Sequence, residues 1–103
     1  MAFEVVWSES ALASLREAID YIAKDSPSYA AGLAVRADAA ATSLRELPQR
    51  GRLVPEYRDP DVREIPVRKS HRLIYKVESP TVRIIAFVHT ARDLDTFVEE
   101  TSW

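Results

Sequence analysis

The sequence predicts an α+β fold in which a helical hairpin covers one face of a small, mainly antiparallel sheet. The first half of the chain holds two segments whose apolar residues recur at spacings of three and four, as on one face of a helix. The second half holds two runs that alternate apolar and polar residues across a short turn, as in a β-hairpin. One β-rich run precedes the helices, so we expect the order β-α-α-β-β-β within one domain over residues 1–103.

The N-terminal half is expected to form a strand and two helices. Residues 3–7 (FEVVW) are rich in β-forming side chains, and Ser8 is placed to cap the helix that follows. That helix, over residues 9–24, has an apolar stripe of Leu12, Leu15, Ile19 and Ile22. A second helix begins at Ser26 and Pro27 and is ended by Pro48. Its inner stripe is Leu33, Ala37, Ala40, Leu44 and Leu47.

The C-terminal half is expected to supply the sheet. Residues 48–61 form a proline-rich loop, which is followed by a strand at residues 63–67. Pro66 lacks a backbone N–H, so we expect an edge or a bulge there. The strongest strands are residues 71–78 and 82–89. Beyond them we expect a short C-terminal helix from Asp93, with its apolar face at Leu94, Phe97 and Val98.

Alternation divides the strand at residues 71–78 between two faces of the sheet. The core face takes Leu73, Tyr75 and Val77. The other face takes Arg72, Ile74 and Lys76. We expect this second face to lie open to solvent or to a partner, as a binding sheet requires.

Composition excludes several classes of protein. The chain has no cysteine, which excludes disulfide frameworks, cysteine nucleophiles and thiolate metal sites and fits a reducing cytosol. No apolar run approaches the roughly 20 residues that a membrane span needs, and the N-terminus has no signal-peptide pattern. Two histidines on different strands do not make a closed zinc site, and no phosphate-binding loop is present. We therefore expect no metal and no cofactor.

Charge is distributed unevenly along the chain. Residues 1–49 carry a net charge of −3, residues 50–92 carry +5 and residues 93–103 carry −4. A basic block between acidic segments indicates an anionic partner, either nucleic acid or an acidic protein segment. The simpler interpretation is that these charges only keep the strands soluble.

Several segments, taken in this order, resemble the ParE/RelE family of bacterial toxins from type II toxin–antitoxin modules. The matching segments are VVWSESALASL at residues 5–15, LPQRGRLVPEY at 47–57, REIPV at 63–67, HRLIYKV at 71–77 and VRIIAFVHTARDL at 82–94. The resemblance implies a cytoplasmic toxin that a small antitoxin neutralises. It also implies one of two activities: RelE-like members cut mRNA on the ribosome, whereas ParE-like members poison DNA gyrase and are not nucleases.

For a metal-independent mRNA endonuclease, the candidate catalytic groups are Arg72, His89 and Arg92. Such cleavage needs a general base, an acid and cations that stabilise the phosphorane charge. Arg72 matches the arginine of the family's Tyr-Arg-like motif, with His71 in place of the tyrosine. Histidine is the residue type that serves as base or acid near neutral pH, which makes His89 a candidate. Candidates for binding phosphate are Arg68 and Lys69.

Each of these groups also has a purely structural interpretation. In this interpretation, His71 is a solvent-facing aromatic residue in place of the motif's tyrosine. His89 makes a hydrogen bond to the backbone or to a carboxylate at the end of its strand. Arg72 is a solvated strand residue, and Arg92 pairs with Asp93 at the start of the last helix. The sequence leaves both interpretations open.

Other features favour a ParE-like toxin over a nuclease. The segment DLDTFVEETSW is acidic and has no tyrosine, whereas ribosome-dependent members often present one there. The chain has three lysines and a pI of about 5.7, although a ribosomal toxin is expected to be strongly basic. The GRLVPE loop and the His89–Arg92–Asp93 corner look ParE-like, although Thr90 replaces a glycine that is common there. We therefore favour a gyrase inhibitor that is not an enzyme. The alternatives are the ribosomal nuclease and an inactive module that only binds antitoxin.

The expected partners are a cognate antitoxin and DNA gyrase, or the ribosome and mRNA in the nuclease alternative. Target or antitoxin binding is assigned to Arg68, Lys69, His71, Arg72, Arg83, His89 and Arg92. An acidic antitoxin segment is expected to lie on Arg68, Arg72, Arg83 and Arg92. Its amphipathic helix or strand would cover an apolar stripe that the helices or a sheet edge leave partly exposed.

Overall fold

The computed structural model describes residues 2–90 and has the predicted α+β architecture. Its elements are β1 (Glu4–Trp7), α1 (Glu9–Ala23), α2 (Pro27–Ser43), β2 (Arg52–Leu53), a 3₁₀ turn (Pro55–Tyr57), β3 (Val62–Val67), β4 (His71–Glu78) and β5 (Thr81–His89). The helix predicted from Asp93, with Leu94, Phe97 and Val98, lies outside the described residues.

Five strands form one mixed sheet in the order β1-β5-β4-β3-β2. β1 runs parallel to β5, with Trp7 opposite Ile84, and the other neighbouring pairs are antiparallel. The predicted, mainly antiparallel sheet is therefore confirmed. β4 and β5 each have neighbours on both sides, which places the hairpin that carries the histidines in the middle of the sheet.

Side-chain caps determine where both helices begin. Ser8 Oγ accepts a hydrogen bond from the N–H of Ala11 at 3.1 Å, and Ser26 Oγ accepts one from the N–H of Tyr29 at 3.2 Å. Pro27 occupies the first turn of α2, where a backbone N–H would have no helical partner. Both predicted helix starts are confirmed.

The predicted end of α2 is wrong by about one turn. The helix ends at Ser43, after which the N–H of Leu44 bonds to the carbonyl of Ala41 at 3.1 Å, a tighter three-residue turn. Leu47 therefore leaves the inner stripe and is 62% exposed. Ala40 is only partly buried. The buried stripe consists of Ala30, Leu33, Ala37, Ala41 and Leu44.

The main core lies between the helices and one face of the sheet. Its fully buried members include Leu33 and Leu44 from the α2 region and Leu73, Tyr75 and Ile84 from the sheet. Burying an apolar side chain of this size stabilises the fold by about 1.5–3 kcal/mol. Leu73 and Tyr75 thus take the predicted core face.

The opposite face of the sheet is not open, contrary to the sequence prediction. A second apolar cluster occupies it: Val54, Val62, Ile74, Ile85, Ala86 and Val88, with Tyr57 packed against them. Within the predicted loop at residues 48–61, β2 and the 3₁₀ turn place Val54 and Tyr57 in this cluster. A bulge in β5 contributes Ile85, which has no partner in the β4–β5 register. Ile74 is fully buried as a result.

Candidate functional site

The β4–β5 hairpin brings the two histidines of the chain together. His71 opens β4 and His89 closes β5, and the two residues are direct partners in the antiparallel register. Their rings meet edge to face, with centroids 5.2 Å apart. The structure therefore places His89, a candidate base or acid, beside a second imidazole.

His71 is buried, so the interpretation of it as a solvent-facing substitute is wrong. The residue is 7% exposed and stacks on Phe87, with ring planes 8° apart and centroids 5.1 Å apart. Its Nδ1 shares a hydrogen bond of 2.8 Å with Ser70 Oγ. Burial, together with the charge of nearby His89, lowers the pKa of His71 below its usual value and favours the neutral ring. The cause is the register, which places His71 on the same face as Leu73 and Phe87.

A groove separates the histidine pair from α1. Its volume is about 690 Å³, and its walls are Ser14, Glu17, Ala18 and Tyr21 from α1 and His71, Phe87, Val88 and His89 from the sheet. Tyr21 is 72% exposed, and the apolar stripe of α1 is only partly buried. The partly exposed apolar stripe that the sequence predicts therefore lies along α1.

Arg72 is not free, although the sequence predicts that it lies on an open face. Its Nη1 lies 3.2 Å from Glu64 Oε1, and Arg52 Nε lies 2.9 Å from the other oxygen of the same carboxylate. The side chain of Glu64 is 4% exposed and that of Arg72 is 14% exposed. A buried carboxylate requires such compensation, because an unpaired buried charge is costly. Arg72 is thus engaged by Glu64 and is not presented to an incoming phosphate.

Arg83 is also engaged within the sheet. Its Nε donates to Glu78 Oε1 at 3.0 Å and its Nη2 donates to Oε2 at 3.3 Å. This bidentate contact lowers the pKa of Glu78. Lys76, opposite Arg83 in the register, pairs with Asp59 at 3.1 Å. Local carboxylates therefore neutralise much of the basic block.

Arg68 and Lys69 lie in the turn between β3 and β4. Arg68 has a φ of 56°, in the left-handed region that residues with a side chain adopt uncommonly. Its guanidinium lies 4.2 Å from the centre of the Tyr29 ring and beside Gly32, where an added Cβ would collide with it. Hydrogen bonds to Ser70 and Arg68 lower the pKa of Tyr29. Lys69 is exposed.

Two predicted site residues, Arg92 and Asp93, lie outside the described residues. The sequence prediction missed Glu64, the residue that engages Arg72. A signal for it was present, because Glu64 is the acidic residue of a strand that precedes β4 by a three-residue turn. In that hairpin, Pro66 is opposite Arg72 and Glu64 is opposite Ile74, so Glu64 is the diagonal neighbour of Arg72 on one face.

Residues 2–90 contain neither a metal-binding cluster nor a helix that could span a membrane. Among them, no group of three or more histidine, cysteine, aspartate or glutamate side chains is arranged to hold a metal ion. Neither helix in this part of the chain is long and apolar enough to cross a membrane.

Comparisons with known proteins agree on one group of proteins. The family model for the ParE toxin of the type II toxin–antitoxin system parDE matches residues 5–94. Toxin RelE2 of Caulobacter vibrioides is 39% identical over 89 residues, which cover 86% of this chain and 97% of that protein. A solved structure of a chromosomal ParDE system from P. aeruginosa superposes with a TM-score of 0.71 over 85% of this chain and 96% of that chain. Its sequence identity is 18%, so this last match concerns the fold alone.

Proposed function

This chain belongs to the ParE toxin family of type II toxin–antitoxin systems, and from that premise we propose that it inhibits DNA gyrase rather than cutting RNA. It acts by binding the target through its surface, without a chemical step of its own. It works in the cytoplasm, where gyrase is found, and a cognate antitoxin neutralises it.

The observation that carries this proposal is the burial of Arg72 against Glu64. RNA cleavage without a metal needs a cation placed on the phosphorane oxygens of the transition state. The Arg72 guanidinium instead lies 3.2 Å from a buried carboxylate oxygen, and withdrawing it would deprive that carboxylate of a partner. Breaking a buried pair costs about 3–5 kcal/mol. Arg72 is therefore better suited to stabilising the sheet than to stabilising a transition state.

His71 supports the same proposal. Its lowered pKa makes the imidazole a weaker base, and one face of the ring is covered by Phe87. A binding surface needs no titrating group. It needs exposed aromatic and apolar contacts, which Tyr21 and the rest of the groove beside α1 offer.

The groove beside α1 also suits the antitoxin. An amphipathic helix with apolar side chains at spacings of three and four would cover the stripe that α1 leaves partly exposed. Tyr21, exposed at the rim of the groove, would then become buried by the partner. Antitoxin binding at this groove and gyrase binding through the same face would be mutually exclusive, which accounts for neutralisation.

Incubation of the purified toxin with gyrase, ATP and plasmid tests the proposal. We expect lost supercoiling or trapped cleavage complexes. His89→Ala should weaken this inhibition only a few-fold, because one contact is removed from a larger interface, whereas a nuclease would lose about 10²-fold or more in rate. Absence of any effect on gyrase, together with codon-specific cuts in mRNA on translating ribosomes, would overturn the proposal.

A ribosome-dependent mRNA endonuclease is the second candidate, and the histidine pair favours it. His71 and His89 lie in ring contact beside an open groove, and the relative from C. vibrioides is named a RelE toxin. His89 would then act as the general base, and His89→Ala would lower the rate of mRNA cleavage about 10²-fold or more. A protein that is inactive in both assays but still binds its antitoxin would be an inactive antitoxin-binding module.

A further inference from the structure

A cleft between α2 and β3 is lined by three arginines, Arg36, Arg50 and Arg68, and we refer to it as the arginine cleft. Its volume is about 220 Å³. Its apolar floor includes Ala40, Ile65 and Val67. None of the described residues that line it is acidic. The cleft shares no lining residue with the groove beside α1.

Among the described residues, the arginines of the cleft have no carboxylate partner of the kind that Arg72 and Arg83 have. Within residues 2–90, no ion pair includes any of the three. Arg50 donates from Nη1 to the neutral Ser43 Oγ at 2.7 Å, and no described carboxylate pairs with it. Arg36 and Arg50 are exposed, so an anionic ligand can reach both side chains.

Arg68 is held in the cleft at a conformational cost. Its φ of 56° costs a residue with a side chain about 1 kcal/mol or more. Tyr29 stacks on its guanidinium, and Gly32 leaves room for it. Its Nε is buried and has no hydrogen-bond partner among the described residues. The Tyr29 ring and the space at Gly32 thus fix the position of the Arg68 guanidinium beside the cleft.

The shape of the cleft indicates the class of ligand. β2 pairs only with Arg63 and Glu64, so the edge of β3 is open at Pro66, which has no N–H to pair with an added strand. The edge offers no backbone donor at Pro66, and the arginine side chains are the charged donors of the cleft. None of the described residues lining the cleft is aromatic, so it offers no platform for a nucleotide base, whereas its apolar floor suits an aliphatic side chain.

We propose that the arginine cleft binds an acidic segment of the antitoxin. Carboxylates of this segment bond to Arg36, Arg50 and Arg68, and an aliphatic side chain packs on the floor. This inference rests on neutralisation by an antitoxin, as in the proposed function, and not on gyrase as the target. It changes the predicted contact points, because Arg72 and Arg83 already bond to carboxylates of this chain.

The affinity of the full-length toxin for the antitoxin encoded by the adjacent reading frame, measured by titration calorimetry, tests the proposal. We expect R36Q/R50Q to weaken binding about a hundredfold, or about tenfold for each charge-assisted contact. The control R16Q/R45Q changes the net charge equally at exposed positions outside the cleft and should stay within about twofold of wild type. Equal losses in the two variants would mean general charge attraction and would overturn the proposal.

Arg68 offers a variant in which folding and binding move in opposite directions. R68G removes the guanidinium and places glycine where φ is positive, which relieves the backbone strain. The melting temperature should stay level or rise while antitoxin binding weakens about tenfold. If binding is unchanged, or if binding falls only because the variant unfolds, Arg68 is a packing residue and its assigned role is wrong.

Further binding experiments test whether another ligand occupies the cleft. A short peptide of alternating leucine and glutamate should bind wild type, and its leucine–glutamine counterpart should not. Tighter binding of a short oligothymidylate than of the acidic peptide would assign the cleft to nucleic acid. Amide replacements at Asp93, Asp95, Glu99 and Glu100 test the acidic segment of this chain itself. A gain of about tenfold in peptide affinity would assign the cleft to that segment and overturn the proposal.

A supercoiling assay separates this inference from the proposed function. R36Q/R50Q should inhibit gyrase as wild type does and should need about a hundredfold more antitoxin for neutralisation. If wild type leaves gyrase active while the variant still binds the antitoxin more weakly, gyrase is not the target but the cleft is still an antitoxin site. If wild type inhibits gyrase and the variant binds the antitoxin as wild type does, the cleft is not an antitoxin site and gyrase is still the target.

Discussion

The arginines of the sheet and those of the arginine cleft differ in how their charge is compensated. On the sheet, Arg72 and Arg83 bond to Glu64 and Glu78 of the same chain. In the cleft, no described carboxylate pairs with the three arginines that line it. A count of basic residues therefore measures total charge, whereas recognition of a partner depends on the charge that the fold leaves uncompensated.

The loop around Gly51 connects these two groups. Arg50, on one side, lines the cleft, and Arg52, on the other side, bonds to Glu64 at 2.9 Å. Between them, the N–H of Gly51 donates to the buried Tyr75 hydroxyl at 2.9 Å. A side chain does not fit at this glycine, because a Cβ would lie 2.7 Å from the Tyr75 hydroxyl oxygen. One buried anchor thus lies between Arg50, which no described carboxylate pairs with, and Arg52, which pairs with Glu64.

Glu64→Gln removes the carboxylate that compensates Arg72, and it should have the largest effect on stability. Glutamine keeps the shape but removes the charge, so Arg72, whose side chain is 14% exposed, becomes a largely buried cation without a counterion. We expect the free energy of unfolding to fall by about 3 kcal/mol, as measured by urea denaturation. A loss below about 0.5 kcal/mol, the size expected of an exposed pair, would mean that water compensates Arg72.

Tyr75→Phe tests the anchor between the two groups and should have the next largest effect. Removal of the hydroxyl leaves the buried N–H of Gly51 without its acceptor, which costs about 1–2 kcal/mol. Thermal unfolding measures this loss, and Tyr21→Phe at an exposed position is the matched control. Because the anchor positions Arg50, antitoxin affinity should fall as well. Unchanged affinity in a folded variant would show that Arg50 is positioned without it.

His71 differs from both groups of arginines, because its burial favours the neutral form of the side chain. Its pKa is lowered in the folded protein by burial and by the charge of His89, from an ordinary value of 6.5. The unfolded chain therefore takes up the proton first as pH falls. Stability should be level above about pH 6.5 and decline below it, until folded His71 is protonated as well. The decline should be modest, because a single proton is involved.

His71→Phe keeps the aromatic stacking on Phe87 and removes the titrating group, so it should flatten this decline. Urea denaturation at a series of pH values between neutral and mildly acidic conditions measures the effect. A decline of the same slope in His71→Phe and wild type would assign the pH dependence to other groups.

Arg83→Gln should have the smallest effect on stability. It compares the exposed Arg83–Glu78 pair with the buried Arg72–Glu64 pair. Its pair with Glu78 is compensated like that of Arg72, but the two side chains are 39% and 41% exposed. Solvent screens such a pair, so we expect a change of about 0.5 kcal/mol or less in the free energy of unfolding. A loss comparable to that of Glu64→Gln would mean that exposure does not separate the two pairs.

Local patterns predicted most of the secondary structure, and the errors have physical causes. The caps Ser8 and Ser26 and the alternation of β4 and β5 involve near neighbours in the chain, and these predictions are confirmed. Leu47 was wrongly assigned to the inner stripe because a backbone turn ends α2 before the helical spacing of apolar residues does. The second cluster was missed because it depends on the segment that contains Val54 pairing beside β3 and packing on the sheet.

By itself, the sequence determined the α+β class, the helix starts, the hairpin strands and the presence of a basic block. Only the tertiary structure decided which of the described basic residues pair with a carboxylate of this chain. Glu64 engages Arg72 because of the β3–β4 register, and the cleft arginines meet because α2 packs beside β3. Charge compensation depends on the register of paired strands and on which helix packs beside which strand, and periodicity and capping carry no information about either.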